Sequence, residues 1–203
     1  MPAARTAPAH YDRSMTDTTD RTGERADLAA RFPYLHAPQR WAWGGIDAQF
    51  SVELPPDELI TNIHVVGFTE GRVVLCRDAR GHWFLPGGTR EADESVESCL
   101  VRELCEEAGA RLTGGPVWIG AHRAVTDSAE PYRPWQPHPV KAWLWGWAEV
   151  VVDSSPTNPD DGEQVVEVRA VTPQEAQHLL VRGREAWWGE LISLAVESHA
   201  RQG

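Results

Sequence analysis

The sequence predicts an α/β fold in which helices cover a mixed β-sheet. Runs rich in β-branched residues at 60–68, 72–78 and 165–171 have the composition of strands, and turn residues separate them. Residues 95–108 contain no Gly or Pro and have the periodicity of an amphipathic helix. Because strands and helices alternate irregularly, we expect a mixed sheet and not a regular series of parallel βαβ units.

The chain divides by composition into three segments. Residues 1–28 are rich in Ala, Pro, Thr, Asp and Arg and nearly lack large apolar residues, which is typical of a disordered tail. Residues 29–57 are expected to form an N-terminal extension packed on the domain, with a half-buried strand where apolar and polar residues alternate at 50–54. Residues 58–203 are expected to form the folded domain and to end in two helices.

The remaining elements follow in order along the chain. A short Trp-Phe-Leu segment comes after the strand at 72–78 and a turn. Residues 115–125 and 140–152 have strand composition, and a proline-dense loop joins them. The first C-terminal helix begins at a Thr-Pro-Gln-Glu capping box at residue 172, and the second begins near residue 184.

The composition excludes several classes of protein. The formal net charge is −11, so the surface repels a phosphate backbone and a nucleic-acid polymer is not an expected partner. No stretch approaches about 18 consecutive apolar residues, and the N-terminus lacks the apolar region of a secretory signal, so we expect no membrane association and a cytoplasmic protein. The three cysteines form no CxxC pair, which argues against a disulfide framework and a zinc site.

The predicted helix at 95–108 carries a stripe of three carboxylates. At about 100° per residue, Glu106 and Glu107 lie within about 60° of Glu103, on either side of it. The opposite arc, which we expect to be buried, contains Leu100, Val101, Leu104, Cys105 and Ala108. The carboxylates repel one another and stand near the helix C-terminus, where the macrodipole disfavours negative charge. A solvated face is the ordinary interpretation of such acids, but this conflict is also typical of a divalent-cation site.

The residues around the stripe form a longer pattern. It is Gly, five residues, Glu, seven residues, Arg-Glu, an aliphatic residue, any residue, Glu-Glu, any residue and Gly. The fixed positions are filled by Gly88, Glu94, Arg102, Glu103, Leu104, Glu106, Glu107 and Gly109. The pattern resembles the signature box of the Nudix hydrolase family, and the strand order over about residues 58–182 is similar to that family too. The last position of the box usually has a bulky aliphatic residue, and Ala110 is a mild departure.

The resemblance implies a fold, a reaction and a set of metal ligands. The fold would be an α/β/α sandwich with a mixed sheet, in which the box forms a catalytic loop–helix–loop. The reaction would be the hydrolysis of a diphosphate linkage in a nucleotide, with Mg²⁺ or Mn²⁺. By motif match, Glu103 and Glu107 look like metal ligands, with Glu106 as a third ligand or water-positioning group. The carbonyl group of Gly87 is also a ligand in that pattern.

The resemblance also implies how the box is held together. Glu94 and Arg102 look like an internal salt bridge that braces the helix. The loop glycines Gly87, Gly88 and Gly109 would let the backbone turn tightly near the metal. The general base of such enzymes lies either in the box or on a distant loop.

A further glutamate ligand is expected near the strand at 165–171. Glu163 lies where relatives often have such a ligand, and Glu167 is the alternative. For both residues the competing interpretation is an ordinary acidic surface residue.

Aromatic and basic residues give candidates for substrate binding. Tyr132 and Trp135 lie in the proline-rich loop and are candidates for stacking on a base, and Arg123 is a candidate for contacting phosphates. A second group shares one face of a strand by period two: Trp143, Trp145 and Trp147. These residues are expected to be core, packed against a helix or the N-terminal extension, and stacking on a base is the alternative.

The substrate is expected to be a small nucleotide, and three functions are compatible with the box. The favoured one is hydrolysis of a nucleoside triphosphate or an oxidised dNTP, since Trp-Phe-Leu-Pro-Gly-Gly precedes a complete box. The second is an ADP-ribose or sugar-nucleotide pyrophosphatase, often a homodimer whose extension is exchanged between partners. Whatever the substrate, Trp187 and Trp188 are expected to lie either in a dimer interface or in the chain's own core. The third is a non-catalytic nucleotide-sensing module, which the intact glutamates disfavour.

Overall fold

The chain forms two compact units, residues 1–31 and residues 32–203. The computed structural model describes residue 23 and residues 25–159, 164–182 and 185–202. Most of the predicted tail at 1–28 therefore lies outside the described residues. Its described end is helical over 25–31, so the predicted boundary at residue 28 falls inside a helix.

A mixed β-sheet forms the centre of the second unit. The described strands are β1 (Gln39–Trp41), β2 (Ile46–Ser51), β3 (Ile60–Thr69), β4 (Arg72–Asp78), β5 (Trp83–Phe84), β6 (Gly87–Thr89), β7 (Ala110–Leu112), β8 (Val117–Thr126), β9 (Val140–Val152) and β10 (Val165–Val171). The main path runs β1-β2-β8-β9-β3-β4-β10, with β5 beside β4, β6 beside β3 and β7 beside β9. Among these strands β3 and β9 are parallel and the other pairs are antiparallel, so the predicted mixed sheet is confirmed.

Helices cover both faces of the sheet. The labelled helices are α1 (Pro33–His36), α2 (Val96–Ala108), α3 (Pro173–Val181) and α4 (Trp187–Ala200). The α2 helix packs on the face that presents Ile63 and Leu144, whereas α4 packs on the face that presents Trp145. This is the predicted α/β/α sandwich. Within the part of the chain that the structure describes, no helix is long and apolar enough to cross a membrane.

The buried face of α2 differs from the predicted one. Leu100, Leu104 and Ala108 are buried as expected, but Val101 and Cys105 are exposed. The buried arc is rotated toward the carboxylates, because Glu103 is only 7% exposed and Glu107 only 6%. The prediction assumed that the charged stripe faces solvent, whereas the preceding loop folds back and covers it.

The opposite face of the sheet is packed with aromatic rings. Trp145 contacts both Trp187 and Trp188 of α4, at ring-centroid distances of 5.6 and 5.5 Å. Trp147 donates from Nε1 to the hydroxyl group of Ser198 at 3.0 Å. Trp143 lies 4.9 Å from Trp41 of the N-terminal extension. The predicted core role of the strand tryptophans agrees with these contacts, and Trp187 and Trp188 are buried in the chain's own core.

The N-terminal extension forms part of the sheet. In β2, Ile46, Ala48 and Phe50 face inward, and the strand pairs along β8 from residue 46 to residue 51. The predicted strand at 50–54 is therefore displaced, since Leu54 lies beyond the end of β2 and is 53% exposed. Pairing with β8 fixes the register of β2, and this pairing is not visible in the local alternation of residues.

Candidate active site

The box is a loop, the α2 helix and a tight turn. Ser95 caps the start of α2, with its hydroxyl group accepting a hydrogen bond from the N–H of Ser98 at 3.0 Å. Gly109 ends the helix in the left-handed conformation, with φ of 57°. A side chain there would overlap the backbone of Ser154, whose N–H and hydroxyl groups both donate to the Gly109 carbonyl. The predicted turn role of Gly109 is thus matched by its geometry.

Two adjacent glycines bring the loop against the carboxylates. Gly87 and Gly88 lie in β6 and pair with His64 and Ile63 of β3. The N–H of Gly87 donates to Oε2 of Glu107 at 2.8 Å in a buried hydrogen bond. A Cβ on Gly88 would overlap the carboxylate of Glu103, and one on Gly87 would overlap the backbone of β3. Only glycine at these positions lets the loop approach both the sheet and α2.

Arg102 holds three carboxylates in one network. Its Nε donates to Oε1 of Glu94 at 2.9 Å and its Nη2 to Oε2 at 3.0 Å, which is a two-point ion pair. Its Nη1 donates to Oε1 of Glu103 at 2.9 Å and to Oε2 of Glu106 at 3.0 Å. Nη2 also donates to the carbonyl group of Thr89 in the loop. The salt bridge implied by the family resemblance is present, and it also reaches two members of the carboxylate stripe.

The network gives its carboxylates different proton affinities. Burial raises the pKa of Glu103, and the charges of Glu106 and Glu94 add to the effect against the opposing influence of Arg102. Burial also favours the neutral form of Glu94, but hydrogen bonds from Arg102 and from the N–H of Glu91 outweigh it and hold the pKa of Glu94 below its ordinary value. The Glu94 carboxylate is therefore a stable structural anion, while Glu103 is the more basic group.

Arg90 is a second structural arginine that the sequence analysis missed. Its backbone N–H donates to the carbonyl group of Thr61 at 2.8 Å, and its guanidinium donates to both the carbonyl and the carboxylate groups of Asp57. Its Nε also donates to the carbonyl group of Glu94. Arg90 thus ties the box loop to the start of β3. Its place within the loop of the box is the one indication the sequence offers.

The carboxylate stripe has donors that suit a divalent cation. In the described ranges no three His, Cys, Asp or Glu side chains converge as a closed metal site. One guanidinium nitrogen of Arg102, however, already lies between the carboxylates of Glu103 and Glu106 as a positive group. Glu107 is hydrogen-bonded to the N–H of Gly87, the residue whose carbonyl group completes the expected ligand set. Carboxylate and carbonyl oxygens are the donors that Mg²⁺ and Mn²⁺ prefer, so these residues fit such an ion.

The other predicted site residues do not join this cluster. Glu163 lies outside the described residues. Glu167 on β10 pairs with Arg77 and Arg169, and both guanidinium groups lie over the ring of Trp83. Its neighbour Val168 packs on the core under α2, so Glu167 points to the opposite face of the sheet. Glu167 therefore lies apart from the carboxylates of α2, and its role as a metal ligand stays a prediction.

The predicted substrate-binding residues lie away from the box. Arg123 is on β8, and β9 and β3 separate it from β6. It lines a shallow cavity of about 380 Å³ beside Arg40 and Gln49. Tyr132 and Trp135 are exposed in the loop between β8 and β9, and in the described structure neither makes a hydrogen bond or ring contact with the box. Their role in binding stays a prediction.

Comparison with known proteins places the box in a family. The model of the NUDIX domain matches residues 60–189, which is more than half of the chain. This protein belongs to the NUDIX family. The match covers β3 to the start of α4 and includes every carboxylate of the α2 stripe, and it leaves β1 and β2 outside.

Individual relatives of this NUDIX protein agree with the assignment. A MutT-like protein from Streptomyces ambofaciens is 41% identical over 59 residues, which are 29% of this chain and 38% of that protein. The alignment therefore spans less than two thirds of the curated relative. A mutant of the Bacillus subtilis pyrophosphohydrolase BsRppH superposes with a TM-score of 0.56 at 14% identity, covering 82% of this chain and 98% of that one.

A second solved structure shows the same NUDIX fold. A NUDIX hydrolase from Nitrosomonas europaea has a TM-score of 0.50 at 18% identity, covering 70% of this chain and 90% of that one. At such identities both superpositions establish the fold, and the chemistry has to be argued from the site itself.

Proposed function

We propose that this protein is a metal-dependent pyrophosphohydrolase that cleaves a diphosphate linkage in a small nucleotide. The observation that carries the proposal is the arrangement of Glu103, Glu106 and Glu107 around one guanidinium nitrogen and the Gly87 N–H group. A fold alone requires no such concentration of negative charge, and two of these carboxylates are buried. Burying carboxylates is costly unless a cation or hydrogen-bond donors compensate for their charge.

The residues of the box have separate roles in the proposed reaction. Glu103, Glu106, Glu107 and the Gly87 carbonyl group would hold Mg²⁺ or Mn²⁺, which when bound neutralises phosphate oxygens and lowers the pKa of a bound water. A carboxylate of the box or of a distant loop would accept the proton of the attacking water. Arg102 keeps the carboxylates at a fixed spacing through its hydrogen bonds. We retain Glu163 as a proposed additional ligand.

The favoured substrate is a nucleoside triphosphate or an oxidised dNTP, in the cytoplasm. The complete box directly after Trp-Phe-Leu-Pro supports this choice. An ADP-ribose or sugar-nucleotide pyrophosphatase is the alternative substrate class. The sensor function is disfavoured, because every box glutamate is present and the Glu94–Arg102 pair is formed.

The substrate class can be identified by product analysis. Purified protein is incubated with Mg²⁺ and a panel of dNTPs, oxidised dGTP, ADP-ribose, sugar nucleotides and dinucleoside polyphosphates, and products are separated by chromatography. We expect one class to be turned over. Glu107→Gln, which removes a charged ligand but keeps an oxygen for the Gly87 N–H, should lower kcat by roughly 100-fold or more, as is typical when a group acting on transition-state charge is lost.

A matched variant on the same helix controls for fold and charge. Glu97 is exposed in the first turn of α2 and lies outside the stripe, so Glu97→Gln should keep full activity. Activity without a divalent cation, or full activity in Glu107→Gln, would contradict the metal-dependent mechanism. Tight nucleotide binding with no turnover of any class would favour the sensor.

A further inference from the structure

Four tryptophan rings form one continuous stack through the N-terminal extension. Trp188 and Trp187 of α4 are 4.3 Å apart with an interplanar angle of 22°. Trp41 of β1 follows at 6.1 Å and 25° from Trp187, and Trp43 follows at 6.3 Å and 14° from Trp41. We call these four residues the tryptophan column. The first three rings are buried, whereas Trp43 at the outer end is 71% exposed.

The backbone fixes the outer end of the column. Trp43 lies in a short 3-10 helix (Ala42–Gly44), and Gly45, which has a φ of 58°, caps its end. The Gly45 carbonyl group accepts a hydrogen bond from the N–H of Asp127 at 3.0 Å, and the Asp127 carboxylate pairs with Arg40 at 2.6 Å. A side chain on Gly45 would overlap that carboxylate. The exposed ring of Trp43 is therefore held in place before any ligand arrives.

A short series of contacts connects the outer end of the column to the box. Trp43 is 5.9 Å from Trp143 of β9, and Trp143 is paired with Asn62 of β3. Asn62 donates from Nδ2 to the hydroxyl group of Thr89 in β6 at 3.1 Å. From β9 to β6 is two strand spacings, roughly 10 Å. Among the described strands β6 pairs only with β3, and α2 packs on the face of the sheet opposite to Trp143. A nucleotide that contacts both Trp43 and the carboxylates of α2 would therefore bend around this edge.

A cation without a carboxylate partner lies on the same face. Lys141 is two residues before Trp143 on β9, so both side chains point to the same side of the sheet. In the described structure no carboxylate forms an ion pair with it, and burial lowers the pKa of its ammonium group. A partly desolvated ammonium group on the face of the sheet that also presents Trp143 suits an anionic aromatic ligand.

We propose that the exposed face of Trp43 stacks the base of the nucleotide substrate, so that the base becomes a fifth ring on the tryptophan column. This inference rests on the proposed function, which supplies a nucleotide as the ligand. A large indole that is both rigidly held and exposed costs little ordering entropy on binding. Trp43 lies outside the matched residues 60–189, so this stacking contact is a feature of this chain's own extension. Purines should bind more tightly than pyrimidines, because they cover more of the indole ring.

The stacking contact is tested by calorimetry, which measures the affinity of several ligands for the inactive Glu107→Gln protein in the presence of Mg²⁺. The ligands are ADP, CDP, adenosine and inorganic tripolyphosphate, which has no base. Trp43→Ala should weaken ADP binding roughly 10-fold, within the range for loss of one base–aromatic stack, and should leave tripolyphosphate binding unchanged. Trp43→Phe should retain most of the affinity. Lys141→Gln should weaken ADP binding but leave adenosine binding unchanged.

Tyr34→Ala is the matched control, because Tyr34 is also an exposed aromatic residue but lies on α1, outside the column. It should leave every affinity unchanged. Thermal unfolding confirms that each variant is folded. The inference would be overturned if Trp43→Ala and its parent bound ADP with equal affinity. It would also be overturned if Trp43→Ala weakened tripolyphosphate binding as much as ADP binding, or if the parent bound no ADP. If the wild-type protein hydrolyses no nucleotide but ADP binding still depends on Trp43, the proposed hydrolysis fails and the stacking site stands.

Discussion

Arg102 is the residue that the geometry of the box depends on most. Its five donors form a planar fork, and they engage Glu94 at two points while reaching Glu103 and Glu106 from the other side. Lysine offers one charged nitrogen on a flexible chain and cannot make all of these contacts. The same side chain therefore stabilises the fold of the loop and sets the spacing of the carboxylates.

Removing this guanidinium should destabilise the protein more than an ordinary surface change. Breaking a fully buried pair costs about 3–5 kcal/mol, and because the Arg102 side chain is partly exposed we expect about 2–3 kcal/mol for Arg102→Ala. Arg102→Lys should lie between this variant and the wild type. Urea unfolding monitored by circular dichroism measures the change.

An exposed ion pair on the same protein provides the comparison for Arg102. Arg111 pairs with Asp153 at 2.7 Å, and both side chains are largely solvated. Arg111→Ala should cost less than about 0.5 kcal/mol. Equal losses in Arg102→Ala and Arg111→Ala would show that the box network adds no stability.

Residue types at the box were predictable, whereas their burial was not. The spacing of Glu103, Glu106 and Glu107 follows from helix geometry alone, and the end of α2 at Gly109 follows from its conformational freedom. The burial of Glu103 and Glu107 depends on the return of the loop through Gly87 and Gly88. That return is a tertiary contact, which a helical pattern does not contain.

At the scale of elements, the contact between the sheet and α4 encloses a neutral histidine. His122 of β8 is fully buried, and its Nδ1 accepts a hydrogen bond from Nε1 of Trp145 at 2.8 Å. Its ring also lies 4.8 Å from that of Trp187 in α4. Burial lowers the pKa of His122 to about 3 from an ordinary value of 6.5. If Nδ1 bound a proton, its N–H would face the N–H group of Trp145, and this hydrogen bond would be lost.

This histidine should make the packing of α4 sensitive to acid. Because the unfolded chain binds the proton near pH 6.5 and the folded chain only near pH 3, stability is complete above pH 6.5 and falls as the pH drops through that interval. The slope should be about 1.4 kcal/mol per pH unit below pH 6. Urea unfolding at pH 7.5, 6.0 and 5.0 measures it.

Replacement of His122 isolates its share of the acid sensitivity. His122→Gln should be less stable at pH 7.5, because it loses ring packing, but it should lose less additional stability at pH 5.0. His178→Gln, at an exposed position on α3, should behave as the wild type does. An unchanged pH dependence in His122→Gln would refute the assignment.

The elements themselves were largely predictable where their determinants are local. The strands β3, β4, β8, β9 and β10 follow from β-branched runs, and the start of α3 follows from the capping box at Thr172. The β2 strand was misplaced because pairing with β8, and not its own alternation, selects its register. The tryptophan column was missed, since it joins residues that are more than 140 positions apart in the chain.

At the scale of the whole molecule, residues 32–51 are an integral part of the folded unit. Phe50 of β2 is 3% exposed and packs against His122 and His36 at 5.3 and 5.2 Å. The segment precedes the residues matched by the family model, yet it contributes two strands to the sheet. The extension and the family domain should therefore unfold together.

Truncation of one extension residue tests this cooperativity. Phe50→Ala should cost about 3–5 kcal/mol, as for other large core residues, and should lower the stability of the family domain with it. Leu54→Ala, at an exposed position just beyond β2, should cost less than about 0.5 kcal/mol. Urea unfolding is followed by circular dichroism and tryptophan fluorescence. Two separate transitions in Phe50→Ala would show that the extension folds independently.

The tryptophan column also gives the molecule an intrinsic optical property. Near-parallel indoles separated by 4.3 to 6.3 Å exchange excitation energy, so light absorbed by one ring of the column is shared with the others. Emission from the buried rings in α4 is then coupled to events at the exposed indole of Trp43. The chain therefore contains a built-in fluorescent reporter that spans α4, the sheet and the extension.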